Sequence, residues 1–130
     1  MPQATDLIIK NAANQDKTFA LITPAAGDGG IARWALKEGT ISSVFPTITS
    51  SATATSRNAR NAHIKIHVPS SYTDSVTGLT NVAGGPEANI KVAVPNDFPE
   101  AMKPDWVAYV VGAVQTALIQ AVIKDATPAT

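Results

Sequence analysis

The sequence contains no cysteine, so it has no disulfide and no thiolate metal site, and cysteine usage gives no redox compartment. Charge is also scarce. Only 15% of its 130 residues are charged against 45% hydrophobic, which argues against disorder and suggests that much of the surface is buried in an assembly. There are only two histidines, His63 and His67. On a strand their Cα atoms would lie about 13 Å apart, too far to chelate one metal directly. Gly27-Asp28-Gly29-Gly30 is not followed by the Lys-Ser or Lys-Thr of a phosphate-binding loop. No serine sits in a nucleophile elbow, and no carboxylates pair closely within one strand or helix. No catalytic residue, cofactor site or metal site is therefore assigned. The start, Met1 to Asp6, lacks the basic residues and apolar run of a signal peptide. The length fits one domain spanning 1–130.

What is present is organised around two near-copies, His63-Ile-Lys-Ile-His-Val-Pro69 and Asn89-Ile-Lys-Val-Ala-Val-Pro95. Each alternates polar and β-branched residues with the period of a half-buried strand. Ile64, Ile66 and Val68 share one face, as do Ile90, Val92 and Val94; His63, Lys65 and His67, and Asn89, Lys91 and Ala93, take the other. The pair reads as antiparallel neighbours joined by a long loop, Ser70 to Ala88, with Gly78, Gly84, Gly85 and Pro86 in it.

Ahead of them, residues 1–23 read as an N-terminal hairpin, with apolar runs at Leu7–Ile9 and Phe19–Ile22 around a polar turn. Pro24 to Gly30 is a loop. Ile31 to Leu36 is a short strand with Trp34 and Leu36 on one face and Ile31, Arg33 and Ala35 on the other. The Ser/Thr-rich run from Ile41 to Ser56 could be a linker. Its alternate threonines (Thr47, Thr49, Thr53, Thr55) favour a strand burying Val44, Ile48, Ala52 and Ala54, with Pro46 marking an edge or bulge. The sheet region spans 31–95, and Ser56 to Asn61 turns the chain into the first near-copy.

A single C-terminal helix is expected over 104–125, started by Pro104 and Asp105. From Trp106 to Ile123 it is apolar almost all round, and Ala113, Ala117 and Ala121 recur every four residues. Such a helix must be buried on several sides or lie in a membrane. The membrane reading has minimum length and must carry Gln115, Thr116 and Gln120. One sheet and one helix cannot hide both helix sides, so burial within an oligomer is the better account.

Net charge is zero, yet residues 31–72 hold Arg33, Lys37, Arg57, Arg60 and Lys65 against the single acid Glu38. A solvated surface is the plain explanation. The sharper one is a polyanion on the polar sheet face, where Lys65 and Lys91 would lie near each other and share phosphates. Thr49, Ser51, His63 and Asn89 could add hydrogen bonds there. No aromatic except Phe45 is a candidate for that face, which weakens generic base stacking.

Gly30 to Trp34, Ile64 to Pro69 with Val76-Thr-Gly-Leu79, and Asn89 to Pro95, in this order before a terminal helix, resemble the coat proteins of levivirus-type single-stranded RNA bacteriophages over nearly the whole chain. The resemblance implies an α+β fold: an N-terminal hairpin, an antiparallel sheet of about five strands, and a C-terminal helix packing on the dimer partner's sheet. It implies a structural, non-enzymatic capsid protein without cofactor. Dimers would build an icosahedral shell around single-stranded genomic RNA, assembled in the bacterial cytoplasm and with no membrane partner. The loop from Ser70 to Glu87 would meet its copies around the shell's symmetry axes. By position, Ile31, Thr49, Ser51, His63, Lys65, Asn89 and Lys91 match RNA-contacting residues, some of which in well-studied members bind a hairpin covering the replicase start. The chain departs from the family at His63, Lys91 and Glu87, where a small hydroxyl, an acid and an aromatic are usual, and it is expected to lack the second short helix. The competing readings are a small RNA- or ligand-binding dimer without a shell and a membrane-anchored β-protein.

Overall fold

Period-two alternation turns most of the first 95 residues into strands. The computed structural model describes residues 3–38, 45–54, 58–73 and 75–130, and the chain divides into two compact units, Met1–Pro95 and Asn96–Thr130. In the first unit the strands are β1 (Leu7–Lys10), β2 (Asp16–Thr23), β3 (Ile31–Ala35), β4 (Thr47–Ala54), β5 (Ala59–His67), β6 (Ser70–Thr73), β7 (Thr80–Ala83) and β8 (Glu87–Pro95). Six of them form one antiparallel sheet in the order β1-β2-β3-β4-β5-β8, and β6 and β7 pair separately.

The sheet thus has six strands where about five are expected. The N-terminal hairpin is continuous with it, because the long β2 pairs with β1 through Asp16–Phe19 and with β3 beyond Ala20. Strand β5 begins at Ala59, inside the stretch expected to be a turn, since Arg60 and Asn61 already pair with Ala54 and Thr53. The loop expected over Ser70 to Ala88 holds the hairpin β6–β7, and β8 begins at Glu87.

Register explains the core. Leu21, Trp34, Ile48 and Ile66 stand opposite one another across four strands. Phe19, Ala32, Trp34 and Ile48 form the buried cluster, with Leu7, Leu36, Ile64 and Ile66 among the residues packed against it. The Trp34 indole Nε1–H donates to the Thr5 carbonyl at 2.7 Å, and the Leu21 N–H donates to the Asp6 carboxylate at 2.8 Å. These two bonds strap the N-terminal segment to the sheet. Ile48 is buried as expected, whereas Ala52 and Ala54 are exposed near the end of β4. Val44 and Thr55 lie outside the described residues.

The aliphatic face is only partly covered. A cavity of about 1000 Å³ opens on it, with Leu7, Pro24, Ala32, Trp34, Ala62 and Ile64 in its wall and Asp28 and Arg60 also lining it. Arg60 grips Asp28 through two hydrogen bonds, at 2.6 and 3.3 Å. The Gly29 N–H donates to the Ala52 carbonyl at 2.9 Å, so the glycine-rich loop is held against the end of β4.

The second unit corrects the expectation of one helix. After a 3-10 turn at Glu100–Met102, α1 spans Lys103–Gln115 and α2 spans Ala117–Asp125, with a bend of 61° between the Glu100–Gln115 segment and α2. Thr116 makes the break. It is extended (φ −69°, ψ 145°), its hydroxyl donates to the Ala113 carbonyl at 2.8 Å, and it accepts from the Ile119 N–H at 3.4 Å. Threonine competes for backbone hydrogen bonds inside a helix but serves well as an N-cap. The second short helix, expected to be missing, is therefore present as α2. No residue of α1 or α2 is buried. Among the described residues no single helix is long and apolar enough to cross a membrane; the bent pair passes that test only jointly.

Candidate nucleic-acid interface

The polar sheet face is assembled by register alone. Ile31 stands opposite Ser51, which stands opposite His63, which stands opposite Lys91. One step along, Arg33, Thr49, Lys65 and Asn89 form a second row across the same four strands. All seven residues singled out from the sequence therefore belong to two adjacent rows. Five of them (Ile31, Thr49, Ser51, His63 and Lys65) line a concavity of about 330 Å³ together with Arg33, Thr47 and His67.

Lys65 and Lys91 are diagonal neighbours rather than directly opposed, because Lys65 faces Asn89 and Lys91 faces His63. This lowers the like-charge cost expected for the pair. Lys65 instead has a protein carboxylate: its Nζ lies 3.1 Å from Glu87 Oε1. The Asn89 amide donates to the same oxygen at 3.4 Å. Asn89 Oδ1 lies 2.9 Å from His63 Nε2, which donates in that arrangement. Hydrogen bonding from Lys65, then from Asn89, with the charges of Lys65 and His67 adding to it, holds the Glu87 carboxyl below the usual glutamate range despite some desolvation.

Arg33, Thr47 and His67 are neighbours outside the seven residues, and Glu87, marked above only as a departure from the family's aromatic, joins them. Arg33 alternates with Ile31, and His67 alternates with His63 and Lys65, so the period-two pattern already placed both on this face. Alternation alone does not reach Glu87, since the strand it predicts begins two residues later, at Asn89, and only the family resemblance marks the position. The face offers cations, hydroxyls and one amide at the spacing of a strand pair, a surface suited to phosphate and sugar contacts. Among the described residues no group of three or more His, Asp or Glu side chains could hold a metal ion.

No protein-family model matches the sequence, and no curated protein matches it. Solved structures do. A virus-like particle of bacteriophage NT-214 shares 21% identity and a TM-score of 0.84, covering 99% of this chain and 100% of that chain. A virus-like particle of Beihai levi-like virus 21 shares 17% identity with a TM-score of 0.79, covering 99% of each chain. The capsid protein of bacteriophage GA shares 19% identity with a TM-score of 0.73, covering 95% of each. The α+β class, the six-stranded antiparallel sheet and the terminal helix pair all agree with that likeness. The chain has the bacteriophage coat-protein fold.

Proposed function

We propose that this chain is the coat protein of a single-stranded RNA phage, a virion component that dimerises, builds an icosahedral shell and packages genomic RNA against its polar sheet face. The observation that carries this reading is the end-to-end likeness to subunits of virus-like particles, 99% of this chain against 100% of the NT-214 chain. The two faces of the sheet fit the two halves of the task. The open cavity on the apolar face suits the helices of a second copy, whose own apolar residues are uncovered: Val111 is 48% and Leu118 62% exposed. The resulting obligate dimer would seat each chain's helices on its partner's sheet, so that residues 1–130 serve as one coat-protein domain. The β6–β7 hairpin, with Val76 and Leu79 exposed at its tip, would meet its copies around the symmetry axes.

On the other face Arg33, Lys65 and Lys91 neutralise phosphate and release counterions. Ile31, Thr49, Ser51, His63 and Asn89 supply the shape and hydrogen bonds that prefer one RNA hairpin over another, the basis for translational repression. The test is electron microscopy of the expressed protein combined with nuclease treatment. Closed particles holding protected RNA support the reading. Dispersed dimers that bind RNA without a shell would favour the small RNA-binding protein instead.

A further inference from the structure

Strands β3, β4 and β5 contain no acidic residue, and β8 contains one, Glu87. That carboxylate does not lie apart from the cations. It takes Lys65 at 3.1 Å, accepts from Asn89 at 3.4 Å, and stands directly across from His67. Its backbone is well placed to hold it there, because the Val68 N–H donates to the adjoining Pro86 carbonyl at 3.1 Å. Two groups of the candidate RNA face, one cation and one amide, are thus engaged by a protein anion in the free chain.

We infer that Glu87 is a latch: it occupies Lys65 in the free protein and is displaced from it by a phosphate of the bound RNA, so it sets how strongly, and at what pH, the face takes that polyanion. This inference rests on the RNA-binding reading above. A carboxylate and a phosphate compete for the same ammonium, and both form charge-assisted hydrogen bonds with it. Lys65 and Glu87 are 44% and 41% exposed, so the exchange needs no unfolding and the pair is weak enough to open. The groups facing Glu87 are Lys65 and His67 from β5 and Asn89 from β8, with His63 behind Asn89; across the concavity stand Thr47 and Thr49 of β4 and Arg33 of β3. All are cationic, capable of becoming so, or neutral. Removing Lys65 to a phosphate takes away the main cause of the low carboxyl pKa. Binding then draws a proton onto Glu87 as the pH falls toward the carboxylate range, and affinity rises on the acid side.

The experiment is filter binding of a 20-nucleotide oligouridylate to the full chain at several salt concentrations and from neutral to acid pH. It compares wild type, Glu87→Gln, Lys65→Gln, the Lys65→Gln/Glu87→Gln double variant and Lys65→Gln/Lys91→Gln. Glu87→Gln should bind about two- to fivefold tighter at neutral pH, with a log–log salt slope steeper by about 0.7. Its advantage should vanish at acid pH, where the wild-type carboxyl is protonated. Because His67 stands directly across from Glu87, the comparison is made also in a His67→Gln background, where the same loss of advantage must appear. With Lys65 already replaced, Glu87→Gln should yield little further gain. An equal gain with and without Lys65 would mean simple repulsion and overturn the latch. Unchanged affinity in Glu87→Gln, with weakened binding in Lys65→Gln/Lys91→Gln, would overturn the latch and leave the face standing. If no variant alters binding, the face itself is wrong and the latch falls with it.

Discussion

The indole nitrogen of Trp34 donates a 2.7 Å hydrogen bond to the carbonyl of Thr5 across 29 residues of sequence. One side chain therefore does two jobs, filling the core row between Leu21 and Ile48 and tying down the N-terminal segment. Trp34→Phe keeps an aromatic ring but loses the bond and part of the indole's volume, and should cost about 1–3 kcal/mol. Trp34→Ala also opens a cavity and should cost about 3–5 kcal/mol. Denaturant melts of the two variants separate the contributions; equal losses would show that the bond, not packing, is what matters.

Gly85 is fixed by close approach. A Cβ there would overlap the Val68 carbonyl and lie 2.8 Å from the Pro69 Cα, both rigid backbone. Gly85→Ala must therefore push apart the base of the β6–β7 hairpin, where Val68 N–H meets Pro86. A loss of about 1–3 kcal/mol is expected, with hydrogen exchange quickening at Val68. Gly84→Ala is the control, since nothing stands within 4 Å of its added carbon. Equal effects at the two glycines would contradict the close-approach account.

Asp28 carries a pH dependence whose sign is fixed. Hydrogen bonding from Arg60, and then its charge, hold the Asp28 carboxyl below its ordinary range. A carboxyl with a lowered folded-state pKa stabilises fully above its unfolded value, about 3.9, and loses that contribution as the pH falls through the folded value. Both partners are about half exposed, so the effect is small. Wild type should melt above Asp28→Asn near neutrality, with the two curves converging in acid. Parallel curves down to pH 2 would remove the ion pair from the stability account.

Thr116 should behave as a cap and not as a helix-interior residue. Thr116→Ala deletes the bond to the Ile119 N–H and should cost about 1 kcal/mol. Thr116→Asn keeps a capping group and should cost little. The reverse order, with alanine the more stable, would mean that the break at this residue is not sustained by its side chain.

Much of this was legible in the sequence because period-two alternation survives wherever one sheet face is buried. It puts Ile64 and Ile66 against the core and Thr49, Ser51, His63 and Lys65 on the opposite face. The early start of β5 was hidden because Ser56-Arg-Asn-Ala-Arg-Asn61 is rich in residues that favour turns, while the pairing of Arg60 and Asn61 with β4 overrides those local preferences. The helix break was hidden because the apolar run continues straight through Thr116, and only its hydroxyl, not hydropathy, marks the end of one helix and the start of the next. The Lys65–Glu87 pair depends on a register that no single strand reveals.

The central claim is that RNA meets this chain on the polar face of β3, β4, β5 and β8. Ultraviolet cross-linking of RNA-filled particles, followed by mass spectrometry of the attached peptides, tests it most directly. Cross-links should concentrate in 31–35, 47–54, 59–67 and 87–95, and should fade when Lys65 and Lys91 are both replaced by glutamine. Cross-links confined to the β1–β2 hairpin or to the two helices, with none on those four strands, would contradict it.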